Sequence, residues 1–494
     1  MRVAIIGAGF AGLVTAVVLR ELGLTITVYE KCPDVGGVWS ATRRYPGMRT
    51  QNGKDTYALS DAPMPPHYPE WPNGEQVQND LEDYVEKHDL ASALELGTDV
   101  IRAELDEAQR AWSLTVRTAD GGSTQQCFDH VVVANGVYSV PDLPELPGRE
   151  EHEAAGGQVL ATSEVHDADL ARVKHVVVIG YGKSACDIAE VAASTTLVAR
   201  RLLWKMPPTI AGVLNYKHLM LTRAGEALFR YIEPRGVERV LHGPGEPLRR
   251  RVIAALQAVV TRQLGLRRLG VVPPGTFEDI ARSAVSLATD GFYEAVASGQ
   301  ITVRRESEVL RLLARDGAPY AELKDGSMLP ADLVLCGTGH RQAVPFFDDD
   351  VQERLRDQRG RFRLHRHIHP LDVPHLFFAG YNSSFFSPLS AEVAAAWIGS
   401  LLTGRHTVHA TEDLRARIDE RLEWMESRTD GRHSSGTNVI PFSMHTIDEA
   451  LDDIGLNIPR ARRVLQWLTP VDPSAYVSVT TRLQAPQRLR AVPQ

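Results

Sequence analysis

The run Gly7-Ala8-Gly9-Phe10-Ala11-Gly12 holds the first chemistry legible in this chain. Glycine at its first, third and sixth places permits a tight turn, lets backbone approach a diphosphate, and allows a helix to lie close on a strand. The helix start that follows turns free N–H groups towards the anion. Glu30 ends the next apolar run, where an acid accepts hydrogen bonds from ribose hydroxyls. Strand, turn, helix and terminal acid together specify a dinucleotide site, which glycines alone do not.

A second such turn reads Gly180-Tyr181-Gly182-Lys183-Ser184-Ala185. Its Gly-Lys-Ser invites a phosphate-loop reading, which fails because Val177 stands where that loop needs glycine. The strand after it ends Ala199-Arg200-Arg201, without an acid. Arginine there suits a 2′-phosphate, so the expected second nucleotide is NADPH rather than NADH. Two nucleotides on one chain imply electron flow from NADPH to a bound flavin.

These turns need strands and helices to hold them. Val3–Ile6, Ala11–Leu22 and Thr25–Glu30 read as strand, helix and strand, and so do Val176–Ile179, Ser184–Ala193 and Thr196–Ala199. The expected fold class is therefore α/β, with two Rossmann-like dinucleotide-binding domains and a helical insertion at about 202–293. Further strands are expected at Trp112–Arg117, His130–Ala134, Ile301–Val303, Leu333–Leu335 and Leu376–Ala379, and a helix at Ala391–Leu402. Val140–Gly148, rich in proline, reads as a linker. The expected boundaries are a first nucleotide domain at 1–150 returning at 336–410, a second, for NADPH, at 151–335, and a C-terminal appendage at 411–494.

The bulk properties restrict the function. A length of 494 residues with 43% hydrophobic and 23% charged residues excludes a disordered or fibrous chain. A net charge of −8 argues against nucleic acid as a partner. Of 54 basic residues 46 are arginine, an excess that reads mainly as compositional background. Cys32, Cys127, Cys186 and Cys336 form no C-x-x-C pair, so they are expected to be buried thiols of a reducing compartment. No apolar run approaches the ~18 residues of a membrane span, no signal-peptide cleavage site follows the N-terminus, and Gln487–Gln494 carries no anchor. The chain reads as cytoplasmic, with no membrane partner.

Further segments resemble the class B flavoprotein monooxygenases, the superfamily of flavin-containing and Baeyer–Villiger monooxygenases. Gly36-Gly37-Val38-Trp39 is similar to the family's G-G-x-W turn. Pro46–Gln51 and Leu59–Pro63 resemble the stretch beneath the isoalloxazine. Ala134-Asn135-Gly136 and Gly337-Thr338-Gly339 resemble its two A-T-G-type strand ends. Leu376–Gly380, followed by Phe385, Ala391, Glu392 and Trp397, is similar to the last FAD-contacting strand and helix. The resemblance runs over about residues 1 to 405 in the family's order.

That resemblance implies an FAD-dependent oxidoreductase in which NADPH reduces the flavin and a C4a-(hydro)peroxyflavin oxygenates a small organic substrate. It implies cofactor contacts at the two turns and at Glu30, Lys31, Gly37, Val38, Trp39, Thr50, Val100, Ala134, Asn135, Gly136, Arg200, Arg201, Thr338, Gly339, Phe385 and Leu389. Gln51 and its neighbour Asn52 are the expected hydrogen-bonding groups near the flavin and nicotinamide, with Arg49 supplying positive charge. O2 and a small molecule are the expected partners, and a homodimer is left open.

Two departures shape the expectation. The family's hinge fingerprint keeps Gly157 but has Ala155, Ala161 and Val165 where Phe, His and an aromatic residue belong. Gln51 stands where flavin-containing monooxygenases place Asn and Baeyer–Villiger enzymes place Asp. An amide can donate to an activated flavin oxygen but cannot hold the charge that orients a catalytic arginine. Oxygenation at nitrogen or sulfur is thus expected ahead of ketone insertion. A third reading is a non-oxygenating flavoprotein: an NADPH oxidase, a redox sensor or a binding protein.

Four other features read as background. His365, His367 and His369 alternate, so on a strand they would share a face, but no ligand-spaced Cys or carboxylate accompanies them and no metal is expected. Asp348–Asp350 reads as a solvated loop, and Arg249–Arg251 with Arg267–Arg268 as solvated helix faces. Phe385 and Phe386 suit either a substrate pocket or the core.

Overall fold

The computed structural model describes residues 1–166, 173–192, 194–282, 285–429 and 436–484. Ala193 and the tail Gln487–Gln494 lie outside the described residues. Two five-stranded parallel sheets dominate. In the first, Arg2–Ile6 lies between Thr25–Glu30 and His130–Val133, with Leu376–Phe378 and Leu94–Leu96 at the edges. In the second, Val176–Ile179 lies between Thr195–Ala199 and Leu333–Cys336, with Ile301–Arg305 and Gln158–Ala161 outside.

The central strands are continuous apolar runs because both faces of a parallel sheet are covered. Val3, Ala4 and Ile5 are fully buried, as is Val178 of the second sheet. Register is regular, with Ile6 beside both Tyr29 and Val133, and Ile179 beside both Val198 and Cys336. Each unit adds an antiparallel three-stranded sheet: Thr98–Asp106, Ala111–Thr118 and Ser123–Phe128 in the first, Val309–Arg315, Ala318–Leu323 and Met328–Pro330 in the second. The two units thus repeat one plan.

Two crossings join them. Val140–Pro141 pairs antiparallel with His340–Arg341, and the Asp142 N–H donates to Gly339 O at 2.9 Å. The segment expected to be a plain linker therefore begins as half of a two-stranded seam. The helix Ser387–Leu402 returns across the first unit against Phe10–Glu21, and its Trp397 is fully buried.

Residues 202–282 combine the 18-residue helix Glu246–Gln263 and several short helices with paired two-residue strands, Lys205–Met206 with Ser286–Leu287 and Thr209–Ile210 with Leu214–Asn215. The C-terminal helices Glu412–Thr429 and Ser443–Ile454 dock on the chain through buried charges. Arg223 grips Asp448 with two bonds of 2.5 and 2.9 Å. Arg366 reaches Asp453 at 2.8 Å and Glu449 at 2.7 Å. His445 sits between Glu226 and Glu238. Burial opposes its charge, but the two carboxylates prevail and push its pKa up to about 10.

Four expectations are corrected. His365 and His369 face each other across a hairpin whose turn residues, Arg366 and His367, have φ of 57° and 61°, so the three histidines do not share a strand face. Asp348 is the N-cap of the helix Asp349–Leu355, its side chain accepting from Val351 N at 2.9 Å. Arg249 is buried, held by Glu246, Glu278 and the Leu228 carbonyl. Cys127 is exposed, whereas the other three cysteines are buried. Among the described residues no His, Cys, Asp and Glu cluster could hold a metal ion, and no helix is long and apolar enough to cross a membrane.

Candidate active site

The first turn is built by close backbone contact. Gly7 has φ +110°, and a Cβ there would stand 2.6 Å from Ala134 O. A Cβ on Gly12 would stand 1.8 Å from Gly7 O, so only glycine lets this helix seat on the turn. The cap residue Gly9 gives the helix Phe10–Glu21 no side-chain partner, which leaves its first N–H groups for an anion. Gly37 lies over Gly9, where an added Cβ would meet Gly37 Cα at 3.5 Å. The turn is therefore roofed by the Gly36–Trp39 segment, whose Gly36 N–H donates to Ala8 O at 3.0 Å.

Glu30 is buried and already oriented, accepting from Ala8 N at 2.7 Å and Cys32 N at 2.9 Å. Beyond that strand end opens a cleft of about 630 Å³ lined by Lys31, Cys32, Thr42, Arg43 and Gly97. Ligands of such sheets bind outside the carboxyl ends of the strands. Trp39 and Phe10 both pack on Tyr57, and the indole N–H donates to the Tyr57 hydroxyl at 3.2 Å. Val100 belongs to the core beneath the antiparallel sheet.

At the second turn Gly180 has φ +122°, and a Cβ there would stand 2.4 Å from Gly337 O. The helix Lys183–Val191 is likewise uncapped. Nothing lies within 4 Å of a Cβ added to Gly182, so this turn faces open space. Ser184 and Ala185 are its second and third residues, with Ala185 buried. Arg200 is exposed and Arg201 half-buried at the strand end. Lys183 is turned inwards, bonded to Asp187 and, at 3.3 Å, to the Thr289 hydroxyl.

Between the units lies Gln51. Its Oε1 accepts from Leu287 N at 3.2 Å, and its carbonyl accepts from the Tyr216 hydroxyl at 2.6 Å. With Oε1 so used, the side-chain NH2 is the end left to donate. Asn52 is buried and more fully engaged: Oδ1 accepts from Tyr216 at 2.9 Å, and Nδ2 donates to Phe385 O. Arg49 is exposed. Phe385 and Phe386 are both buried, and Leu389 lies in the first turn of the helix Ser387–Leu402. Behind them Glu392 accepts from Ser60 N at 2.9 Å, and burial pushes its carboxyl up to about 7.

A test of fit to two nucleotides comes from buried polar atoms that lack protein partners. Thr50 Oγ1, beside Gln51, and Asn135 Oδ1, just past the strand His130–Val133, are buried without a hydrogen bond, an expensive condition unless a ligand completes it. Thr338 instead donates to the Asp142 carbonyl in the crossing, while Gly339 and Gly136 adopt positive φ.

The sequence as a whole points the same way. Residues 1–242 match the model of a family described as flavin-binding monooxygenase-like. Probable flavin-containing monooxygenase 1 of Arabidopsis thaliana is 26% identical over 92% of each chain. Flavin-containing monooxygenase 3 of Homo sapiens is 22% identical over 99% of this chain and 88% of its own. The chain resembles the class B flavoprotein monooxygenases along its length. This monooxygenase is FAD-dependent, with FAD and NADPH as its cofactors. Its fold matches cyclohexanone monooxygenase (TM-score 0.67, 18% identity, 92% and 98% of the two chains). It also matches S-allyl-L-cysteine S-oxygenase from Allium sativum (TM-score 0.61, 19% identity, 94% and 91%).

The monooxygenase also recruits residues that sequence reading missed. Tyr216 and Leu287 fix Gln51, although neither sits in a recognisable motif. Asp187 binds Lys183, Thr289 and, at 2.9 Å, the Tyr45 hydroxyl. Its spacing of four from Lys183 on a helix was a usable signal.

Proposed function

We propose that this protein is an NADPH-dependent flavin monooxygenase that oxygenates a small organic molecule at nitrogen or sulfur. The single observation that carries the choice of atom is Gln51. Its carbonyl end is fixed by Leu287 N–H, so it presents a neutral amide donor where an orienting carboxylate would be needed for ketone insertion. In this reading residues 1–150 and 336–410 hold FAD, and 151–335 hold NADPH. The roofed first turn suits a resident cofactor, and the open second turn suits one that exchanges.

When bound, FAD reduced by NADPH supplies activated oxygen, of which one atom enters substrate and the other leaves as water. The chain's own work is binding, orientation and exclusion of water. Gly9, Phe10, Ala11 and Glu30 hold the diphosphate and ribose of FAD. Gly182, with Arg200 and Arg201 at the strand end, holds the diphosphate and 2′-phosphate of NADPH. Gln51 donates at the reacting face, and Asn52 braces it by tying Tyr216 to the Phe385 backbone. Phe385 and Phe386 keep the pocket dry.

The deciding experiment offers the flavin-loaded protein NADPH and O2 with a thioether, a tertiary amine and a cyclic ketone in parallel. Sulfoxide or N-oxide formed in step with NADPH consumption is the expected result. Ester or lactone from the ketone alone would move the assignment to Baeyer–Villiger chemistry. Hydrogen peroxide with no oxygenated product would leave an NADPH oxidase.

A further inference from the structure

The Tyr45–Gln51 segment of the first unit is laced to the second unit at both ends. At its start the Tyr45 hydroxyl donates to Asp187 Oδ2 at 2.9 Å. Two residues on, Gly47 lies against the same helix, close enough that an added Cβ would meet Val191 Cγ2 at 3.2 Å. At its end Gln51 Oε1 accepts from Leu287 N at 3.2 Å. Thr289, two residues beyond Leu287, donates to the other oxygen of Asp187. Tyr45, Asp187, Thr289, Leu287 and Gln51 therefore close a ring of contacts between the units.

Asp187 is the node of that ring. Its carboxylate is 3% exposed and takes three donors, from Tyr45, Lys183 and Thr289. A buried carboxylate so satisfied fixes its donors relative to one another, because releasing any of them leaves charge short of partners. The hinge fingerprint that family members carry is absent here at Ala155, Ala161 and Val165. No polar side chain at those three positions ties the units together.

We propose that Asp187 is a positioning residue, which through Tyr45 and Thr289 sets the Gln51 loop of the first unit against the nucleotide helix of the second. It touches neither the reacting atoms nor the expected phosphates. Its effect is to hold the Gln51 amide at a constant distance from the second nucleotide turn. The consequence for the reaction rests on the function proposed above. A loosened loop admits water and lets oxygen, reduced by the two electrons and one proton from NADPH and one further proton from solvent, leave as hydrogen peroxide before it meets substrate.

The test uses the flavin-loaded protein and its Tyr45→Phe and Asp187→Asn variants. Deuterium uptake is first read by mass spectrometry without NADPH. Uptake over residues 45–51 and 286–289 is expected to rise about fivefold in Tyr45→Phe, the effect of one lost hydrogen bond, and further in Asp187→Asn. NADPH KM and the rate of flavin bleaching are expected to stay within about twofold in Tyr45→Phe, while product per NADPH falls about fivefold and peroxide makes up the difference. Unchanged uptake overturns the proposal, and so does raised uptake with an unchanged product-to-NADPH ratio. Should the wild-type protein make only peroxide, the proposed function fails, and the uptake result alone then decides whether Asp187 positions the loop.

Discussion

The two nucleotide turns use one backbone device and differ in what surrounds it. In each, a glycine at positive φ lies under the carbonyl that ends a neighbouring strand, Gly7 under Ala134 and Gly180 under Gly337. The first is then enclosed: Gly37 covers Gly9, and Glu30 is fixed by two N–H donors. The second is open above Gly182, and its strand ends in Arg200 and Arg201 rather than an acid. Enclosure with a pre-set carboxylate favours slow release of a ligand bound through ribose hydroxyls. An open turn with free cationic groups favours exchange of a ligand carrying an extra phosphate. In the proposed function the same fold element would thus serve a resident and a shuttling nucleotide through its neighbours.

The most damaging way to break this comparison is Gly12→Ala, which places a methyl where the space ends 1.8 Å from Gly7 O. The helix must move off the turn, at a cost on the order of 3 kcal/mol. The purified variant is expected to lack flavin absorbance, whereas alanine is already native at the equivalent Ala185. Flavin retained at the wild-type ratio would show that the first turn is less closely seated than its geometry implies. Next in size is Arg200→Ala. Loss of a charged phosphate contact of about 1.5–3 kcal/mol should raise the KM for NADPH on the order of tens of fold. The KM for NADH should hardly move, and an equal change in both would remove Arg200 from the 2′-phosphate.

What the sequence disclosed follows from the range of the contacts. The glycine turns, Glu30 and the strands around them are local patterns, so their residues announce them. The Tyr45–Asp187 bond joins residues 142 apart, and Arg223–Asp448 joins residues 225 apart. No spacing rule reaches so far. The alternating histidines misled because a strand pattern takes no account of a turn in which Arg366 and His367 adopt positive φ. Arg249 misled because helix position does not reveal that Glu278 will arrive from another segment. Asp348 is different: an Asp before Val351 and Leu355 is an N-cap signal that was there to be used.

A smaller effect sharpens the comparison on the acidic side. Glu30→Gln keeps the shape but leaves one oxygen to accept from two N–H donors, Ala8 and Cys32, now 22 residues and 2 residues away in sequence with one acceptor between them. One charged hydrogen bond is lost, so flavin affinity measured by fluorescence titration should fall on the order of tenfold. The KM for NADPH should not follow it. A matched loss at both sites would mean that Glu30 supports the fold rather than the ribose.

The mildest substitution makes the second turn resemble the first. Ala185→Gly removes a buried methyl that faces Gly337 and Gly180 and adds backbone freedom in the first turn of the helix. Those two losses together amount to on the order of 1–2 kcal/mol of stability, read by denaturant unfolding. NADPH binding should be nearly unchanged, because the methyl packs against Gly337 and lies apart from the open face of Gly182. A gain in NADPH affinity would instead mean that the methyl holds the helix away from the turn. In that case the openness of the second site would be set by residue 185, and the missing roof over Gly182 would be incidental.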